Sequence, residues 1–351
     1  MPVPVQPEEL RQFTVTDQAP AAHLDLLNAL GFRSAVAGLR LGVFEALAAG
    51  PLPVADLARR TGTDAYALRL LADALVGFGY LTGSATGYAN SANTTRWLLR
   101  DAPESFAPVL AFWGAVVTER WTDLEESMRS GLPRRDFYPW LEQRPETLAD
   151  FQTMLRRLAA WLAPEIVELI PAPPPAGRLL DIGGGHAGYS IAFCRRYPKL
   201  RATVLDLPGA LAQGAPAITA AGLTERITAL SGDLSTVDLG ADHDLALLFN
   251  IVHGYPDTEV GALLKRVAAA VRPGGRVALL EPLAEVPQRP AGTADSFVRA
   301  FSLNLFHTQG GRAYSFTELS ELLTAAGFTQ VTQHLLRGSE ADHLVLAVRA
   351  G

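Results

Sequence analysis

Residues 179–190 read LLDIGGGHAGYS. Gly183, Gly185 and Gly188 satisfy the spacing G-x-G-x-x-G. That spacing lets a backbone approach a pyrophosphate and opens a helix whose N-terminus favours negative charge. Asp181, two residues before the first glycine, suits a pyrophosphate poorly, because like charges would meet. A carboxylate there can accept instead from an ammonium, directly or through water. The stretch leaves two cofactor classes open.

Working outward, strand-like and helix-like stretches alternate. The strands are RLLDI (178–182), RATVLD (201–206), RITALSGD (226–233), DLALLFNIV (244–252) and RVALLE (276–281), with Arg272-Pro-Gly-Gly275 read as a turn before the fifth. Such alternation predicts an α/β fold with a parallel, doubly wound sheet. FTQVTQHL (328–335) and HLVLAVRA (343–350) follow with only a polar turn between them, so they should pair as a hairpin. That antiparallel addition is uncommon in plain dinucleotide domains.

Upstream, IPAPPPAGR (170–178) is a proline-rich break. We therefore expect an N-terminal domain over 1–103, a helical connector over 104–170 and the nucleotide-binding domain over 171–351. Residues 33–49 carry apolar positions on more than one side, as a helix buried at an interface would. Residues 54–83 read as a helix, a turn with Asp64 as N-cap, a second helix, and short strands near Tyr80–Leu81 and Gly87–Tyr88. That is a winged-helix pattern. The connector reads as further helices rich in aromatic residues.

Bulk properties exclude several classes. A chain of 351 residues, 48% apolar, has room for two cores. Its net charge of −6 offers no footprint for nucleic acid or anionic membrane. Cys194 is the only cysteine, which rules out an internal disulfide and a thiolate metal cluster. No basic segment leads into an apolar one at the N-terminus, and no apolar run approaches the roughly 18 residues that span a bilayer. His23, His186, His243, His334 and His343 show no metal-ligand spacing. We expect a soluble, cytoplasmic protein with no metal, nucleic-acid or membrane partner. A winged-helix DNA-binding regulator is the rival for the front of the chain. Over residues 55–80, however, Arg59, Arg60 and Arg69 are cancelled by Asp56, Asp64 and Asp73, so nothing there neutralises phosphates.

Two more acids bear on the cofactor. Asp206 ends the second strand, placed for ribose hydroxyls that NAD and S-adenosylmethionine (SAM) share. Asp233 ends the third, where an adenine edge would fall. Each alone serves equally well as a cap or turn residue. Three at successive strand ends favour a ligand with cationic and donor groups, and SAM carries an ammonium and a sulfonium. An NAD-dependent oxidoreductase stays open as the alternative.

The blocks GLRLGVFEAL, DLARRTGTDAYALRLLADALVGFGYL, LLDIGGG, VLDLP, SGDL, NIVHGYPD, RPGGRVALLE and GGRAYSFTELSELLTAAGF, in this order, resemble a known family. It is that of the SAM-dependent O-methyltransferases, which includes plant caffeate and bacterial polyketide, naphthoate and hydroxyindole-type enzymes. The resemblance implies a Rossmann-like SAM domain with a seven-stranded sheet, its last strand antiparallel. It also implies a mainly helical, winged-helix-like N-terminal domain that forms a homodimer. By the same resemblance, SAM contacts fall at Asp181, Gly183, Gly185, Asp206, Leu207, Asp233, Leu234 and Asn250. The implied reaction methylates a phenolic hydroxyl of an aromatic small molecule of secondary-metabolite type, such as a hydroxynaphthoate, an anthracycline or a quinone. Some relatives keep the SAM site and perform other chemistry, which is a further alternative.

A phenol of pKa about 10 benefits from a base, and a neutral imidazole suits that task at pH 7. His253 follows the apolar fourth strand and so sits at the cofactor mouth. Its segment resembles the family's L-H-D-W, whose histidine is the general base, although Gly254 and Tyr255 replace the Asp and Trp. Glu281 ends the fifth strand, where the family pairs an acid with that histidine. A second family acid is replaced by Ala313, with Tyr314 and His307 as candidates to compensate. For the acceptor pocket the resemblance points to Phe106, Trp113, Phe151, Met154, Phe301 and Asn304. Arg299 and Arg312 are open to a substrate carboxylate or to surface acids.

Overall fold

A computed structural model of the chain describes residues 7–16, 19–284 and 292–351. It divides into two compact units, Met1–Glu119 and Arg120–Gly351. The division falls inside the stretch read from sequence as one connector. Helix Ala107–Glu119 stays with the first unit, because Gly114 lets it lie directly against Val36. Helix Pro145–Leu169 joins the second, where Leu162 and Ile166 enter the sheet's core.

In the first unit, helix Ala22–Arg40 ends where Gly42 turns left-handed at φ 72°. Helices Val54–Thr61 and Ala65–Gly77 follow, and the Asp64 side chain caps the second by accepting from Ala67 N–H at 2.8 Å. Strands β1 (Leu81–Ser84) and β2 (Gly87–Asn90) pair antiparallel as the wing. Val36, Phe44, Leu57, Leu75 and Leu81 make a shared core.

The second unit holds strands β3 (Arg178–Ile182), β4 (Arg201–Asp206), β5 (Ile227–Ser231), β6 (His243–Phe249), β7 (Val271–Pro282), β8 (Phe328–Leu335) and β9 (Asp342–Arg349). They form one seven-stranded sheet in the order β5-β4-β3-β6-β7-β9-β8. The pairs from β5 to β7 are parallel, while β9 runs antiparallel to both β7 and β8. Both faces are covered, which is why the central strands are apolar at nearly every position. Leu179, Leu247 and Leu280 pack toward helices Pro145–Leu169 and Gly188–Arg196. Leu180, Leu248 and Leu279 pack toward helices Asp257–Ala270 and Phe316–Ala325.

Several boundaries differ from the sequence reading. The third strand stops at Ser231, because Gly232 and Asp233 open a turn in which Ser235 N–H bonds the Asp233 carboxylate. The fourth strand stops at Phe249 and does not continue to 252, because Asn250 turns left-handed at φ 59° and Val252–Gly254 closes a 3-10 turn. The Arg272–Gly275 segment is an excursion within β7, not a turn ahead of it. Val271 already pairs with His243, and pairing resumes at Arg276 opposite Leu245.

Helix Pro208–Ala220 rests directly on the glycine turn, for a Cβ on Gly214 would run into the Gly185 carbonyl. We expect Gly214→Ala to cost about 1–3 kcal/mol, the usual penalty for overfilling a tight contact. Urea denaturation would measure it. An unchanged midpoint would mean that the helix does not lean on the turn.

Candidate functional site

The carboxyl ends of β5, β4, β3, β6 and β7 lie side by side, the edge where ligands bind in doubly wound sheets. A cavity of about 400 Å³ opens there, a volume suited to a small molecule. Six of the eight residues implied for SAM line it: Gly183, Asp206, Leu207, Asp233, Leu234 and Asn250. Gly183 takes a left-handed φ of 71°, and a Cβ on it would run into Ile251 Cδ1. The other two residues support the rim. Gly185 N–H donates to Asp206 Oδ2 at 2.8 Å. Asp181 is buried beneath the turn and accepts from Ser190 Oγ at 2.6 Å.

The three acids live in different environments. Burial pushes Asp181 up to about 6; the Ser190 hydrogen bond opposes this, and the charge of Asp206 adds to it. Burial also raises Asp206, against the N–H groups of Leu207 and Gly185 that favour its ionised form. Asp233 is exposed, and the Ser235 hydroxyl and N–H, each at 2.7 Å, hold it below the ordinary range.

The next strands bring His253 and Glu281 together. Glu281, 1% exposed at the end of β7, accepts from Ile251 N–H and Val252 N–H through Oε1, both at 2.9 Å. Its Oε2 pairs with His253 Nδ1. An ionised carboxylate only accepts, so the imidazole proton sits on Nδ1 and the lone pair on Nε2. The Phe301 ring meets the imidazole edge to face, centroids 5.2 Å apart, and Phe297 stacks on Phe301 at 5.9 Å. Ala313 brings no acid; its N–H donates to Ser302 Oγ at 3.0 Å. The two candidates to compensate are engaged elsewhere. Tyr314 donates to the Tyr255 carbonyl at 2.6 Å, and His307 uses its ring nitrogens on Ser127 Oγ and the Arg120 carbonyl.

The acceptor nominees are spread out. Phe151 lines the cavity and packs edge-on against Phe137; Met154 is half-buried one turn along the same helix. Phe301 lies against His253, while buried Asn304 accepts from Trp121 Nε1 at 2.9 Å. Phe106 and Trp113 belong to the first unit, where Phe106 borders a hollow with Phe78, Trp97 and Leu110. Arg299 pairs with Asp295, and Arg312 with Asp257 and Glu318.

Tyr138, Gln152 and His186 also line the cavity; sequence reasoning passed over the first two and weighed His186 only as a metal ligand. Gln152 carried a signal: it interrupts the helical stripe Leu148, Gln152, Leu155, Ala159, Leu162 at a position that otherwise calls for an apolar residue. Burial drives His186 down to about 4, helped by nearby Arg156. Among the described residues no three side chains gather as metal ligands, and no helix is long and apolar enough to cross a membrane.

The O-methyltransferase domain family model matches residues 141–329, and the O-methyltransferase dimerisation domain model matches residues 26–101. The chain is 29% identical to the 3-hydroxy-5-methyl-1-naphthoate 3-O-methyltransferase of Streptomyces sahachiroi, over 90% of each. The solved structure of the mitomycin 7-O-methyltransferase MmcR superposes with a TM-score of 0.84 at 26% identity, covering 95% of this chain and 99% of that one. That of PigF with SAH gives 0.83 at 26% identity, covering 96% and 100%.

Burial pushes Asp181 up to about 6 from an ordinary 3.8, so between those values the folded state holds the proton more tightly and stability falls as pH rises. His186 acts in the opposite sense: lowered from 6.5 to about 4, it contributes stability that is lost as pH falls through that window. Asp181→Asn removes only the first effect. Without ligand, it should exceed the parent's stability above pH 6 by an amount on the order of 3 kcal/mol, a gain that disappears below about pH 4. Urea titrations across pH test this; equal stabilities at pH 7 would show that the carboxylate is not desolvated.

Proposed function

This chain belongs to the O-methyltransferase family, and we propose that it methylates a phenolic hydroxyl of an aromatic small molecule, with His253 as general base. It is a SAM-dependent methyltransferase, and the residues at the strand ends fit that group. Asp233 just past β5, Asp206 at the end of β4 and the Gly183 turn after β3 follow one another along the sheet edge. Asp206 is a desolvated carboxylate facing the cavity, ready for donors. Gly183, in its left-handed turn, lines the same cavity. Bound there, SAM supplies a methyl group on a sulfonium, a carbon that an oxygen attacks without help from a metal.

The protein's part is to hold the acceptor in line and to take its proton. Positioning accounts for much of the rate in such displacements. His253 Nε2 accepts the phenol proton as the oxygen becomes a nucleophile, and Glu281 balances the imidazolium that forms. The carrying observation is the orientation of that ring: its Nδ1 is taken by a carboxylate that two backbone amides also hold. The stacked pair Phe297 and Phe301 gives a flat acceptor an aromatic surface beside the base. The relative from S. sahachiroi, named for a hydroxynaphthoate, supports an acceptor of naphthoate or related polyketide type. Exposed Leu26, Leu30, Tyr66 and Leu70 lie within the segment matched by the dimerisation domain and support a homodimer.

The test is a screen of hydroxynaphthoates, anthracyclines and phenolic quinones with SAM, read by mass spectrometry. With the acceptor found, His253→Ala should lose about 10²-fold or more in turnover while calorimetry shows cofactor binding retained. Asp206→Ala should instead weaken the cofactor. Near-normal turnover in His253→Ala would mean that positioning alone suffices.

A further inference from the structure

Two polar side chains in the cavity have no part in the chemistry above. Gln152, on helix Pro145–Leu169, is 5% exposed, and its Oε1 has no hydrogen-bond partner. A buried amide oxygen left without a donor costs free energy until something donates to it. His186, 7% exposed, lies in the turn after β3 and accepts Gly188 N–H through Nδ1 at 3.0 Å. With the Nδ1 lone pair so committed, a neutral ring carries its proton on Nε2 and is a donor there. The cavity thus holds one unmet acceptor and one directed donor, from two different elements.

We propose that Gln152 and His186 together read the amino-acid end of SAM, with Gln152 Oε1 accepting from the ammonium and His186 Nε2–H donating to the carboxylate. The inference rests on reading this cleft as the SAM site, and it assigns two side chains that reading left idle. Strand order gives the direction. Asp233 lies just past β5 and Asp206 ends β4, so a nucleoside spanning them leaves its other end at the turn after β3, where His186 is. Neither side chain carries a net charge, and a zwitterion needs none, only an acceptor at one end and a donor at the other. Glu142, the other acid on this wall, is exposed, where water screens it. Asp181 lies beneath the turn, outside the cavity lining.

Calorimetry with two probes separates this role from a general effect on the pocket. S-adenosylhomocysteine carries the amino-acid end, and 5′-methylthioadenosine lacks it. Gln152→Met keeps the volume and loses the acceptor. His186→Asn keeps an acceptor for Gly188 N–H, and its shorter side chain moves the remaining amide donor away from the Nε2 position. Each variant should weaken S-adenosylhomocysteine about tenfold or more and leave 5′-methylthioadenosine within about twofold. Unchanged binding of S-adenosylhomocysteine, or equal loss with both probes, would overturn the assignment. Failure of the parent protein to bind S-adenosylhomocysteine at all would overturn the reading of the cleft itself, a separate outcome.

Discussion

Glu281 brings a negative charge to the buried end of a central strand, where a carboxylate without partners is strongly unfavourable. Three donors meet it: the N–H groups of Ile251 and Val252, and His253 Nδ1. To supply them the chain must leave the sheet after Phe249, which it does through left-handed Asn250 and a 3-10 turn. His253 is therefore positioned by charge as well as by packing. The same turn reaches the cofactor side, because Ile251 fills the space that a side chain on residue 183 would need. The glycine turn and the His253 turn share a contact, so a change in one is felt in the other.

The cleft edge also divides its charges by environment. Asp181 and Asp206 are raised by burial, and Asp233 is lowered by hydrogen bonds at the surface. A ligand with donors relieves Asp206, the desolvated acid that faces the cavity, which an anionic pyrophosphate would not do. Family membership and relatives solved with SAH agree with this preference, so the cofactor is SAM and NAD drops out. Ala313 contributes no acid, so Glu281 is the carboxylate that serves His253. Its two backbone donors make that single carboxylate a firm partner for the imidazole.

Much of this was legible in the chain. The alternation after residue 178, the closing hairpin, the Asp64 cap and the three strand-end acids all rest on local rules, namely periodicity, turn chemistry and capping. The pairing of His253 with Glu281 was readable only through family resemblance, since 28 residues of chain say nothing about proximity. Hidden altogether were roles set by tertiary contacts. Asp181 looked like a cleft residue and lies beneath the turn, because Ser190 in the following helix draws its carboxylate inward. The end of β6 was obscured because Ile251 and Val252 are apolar and read as strand, although their amides serve Glu281. His307 looked available for catalysis, yet burial between Ser127 and Arg120 takes both of its nitrogens.

One proton is decisive: the carboxylate of Glu281 holds it on His253 Nδ1 and leaves Nε2 bare. Nitrogen-15 NMR of imidazole-labelled protein near pH 8 distinguishes the two neutral tautomers directly. His253 should show a protonated Nδ1 and an unprotonated Nε2, with the preference lost in Glu281→Gln. A proton resident on Nε2, or a tautomer indifferent to Glu281, would contradict it.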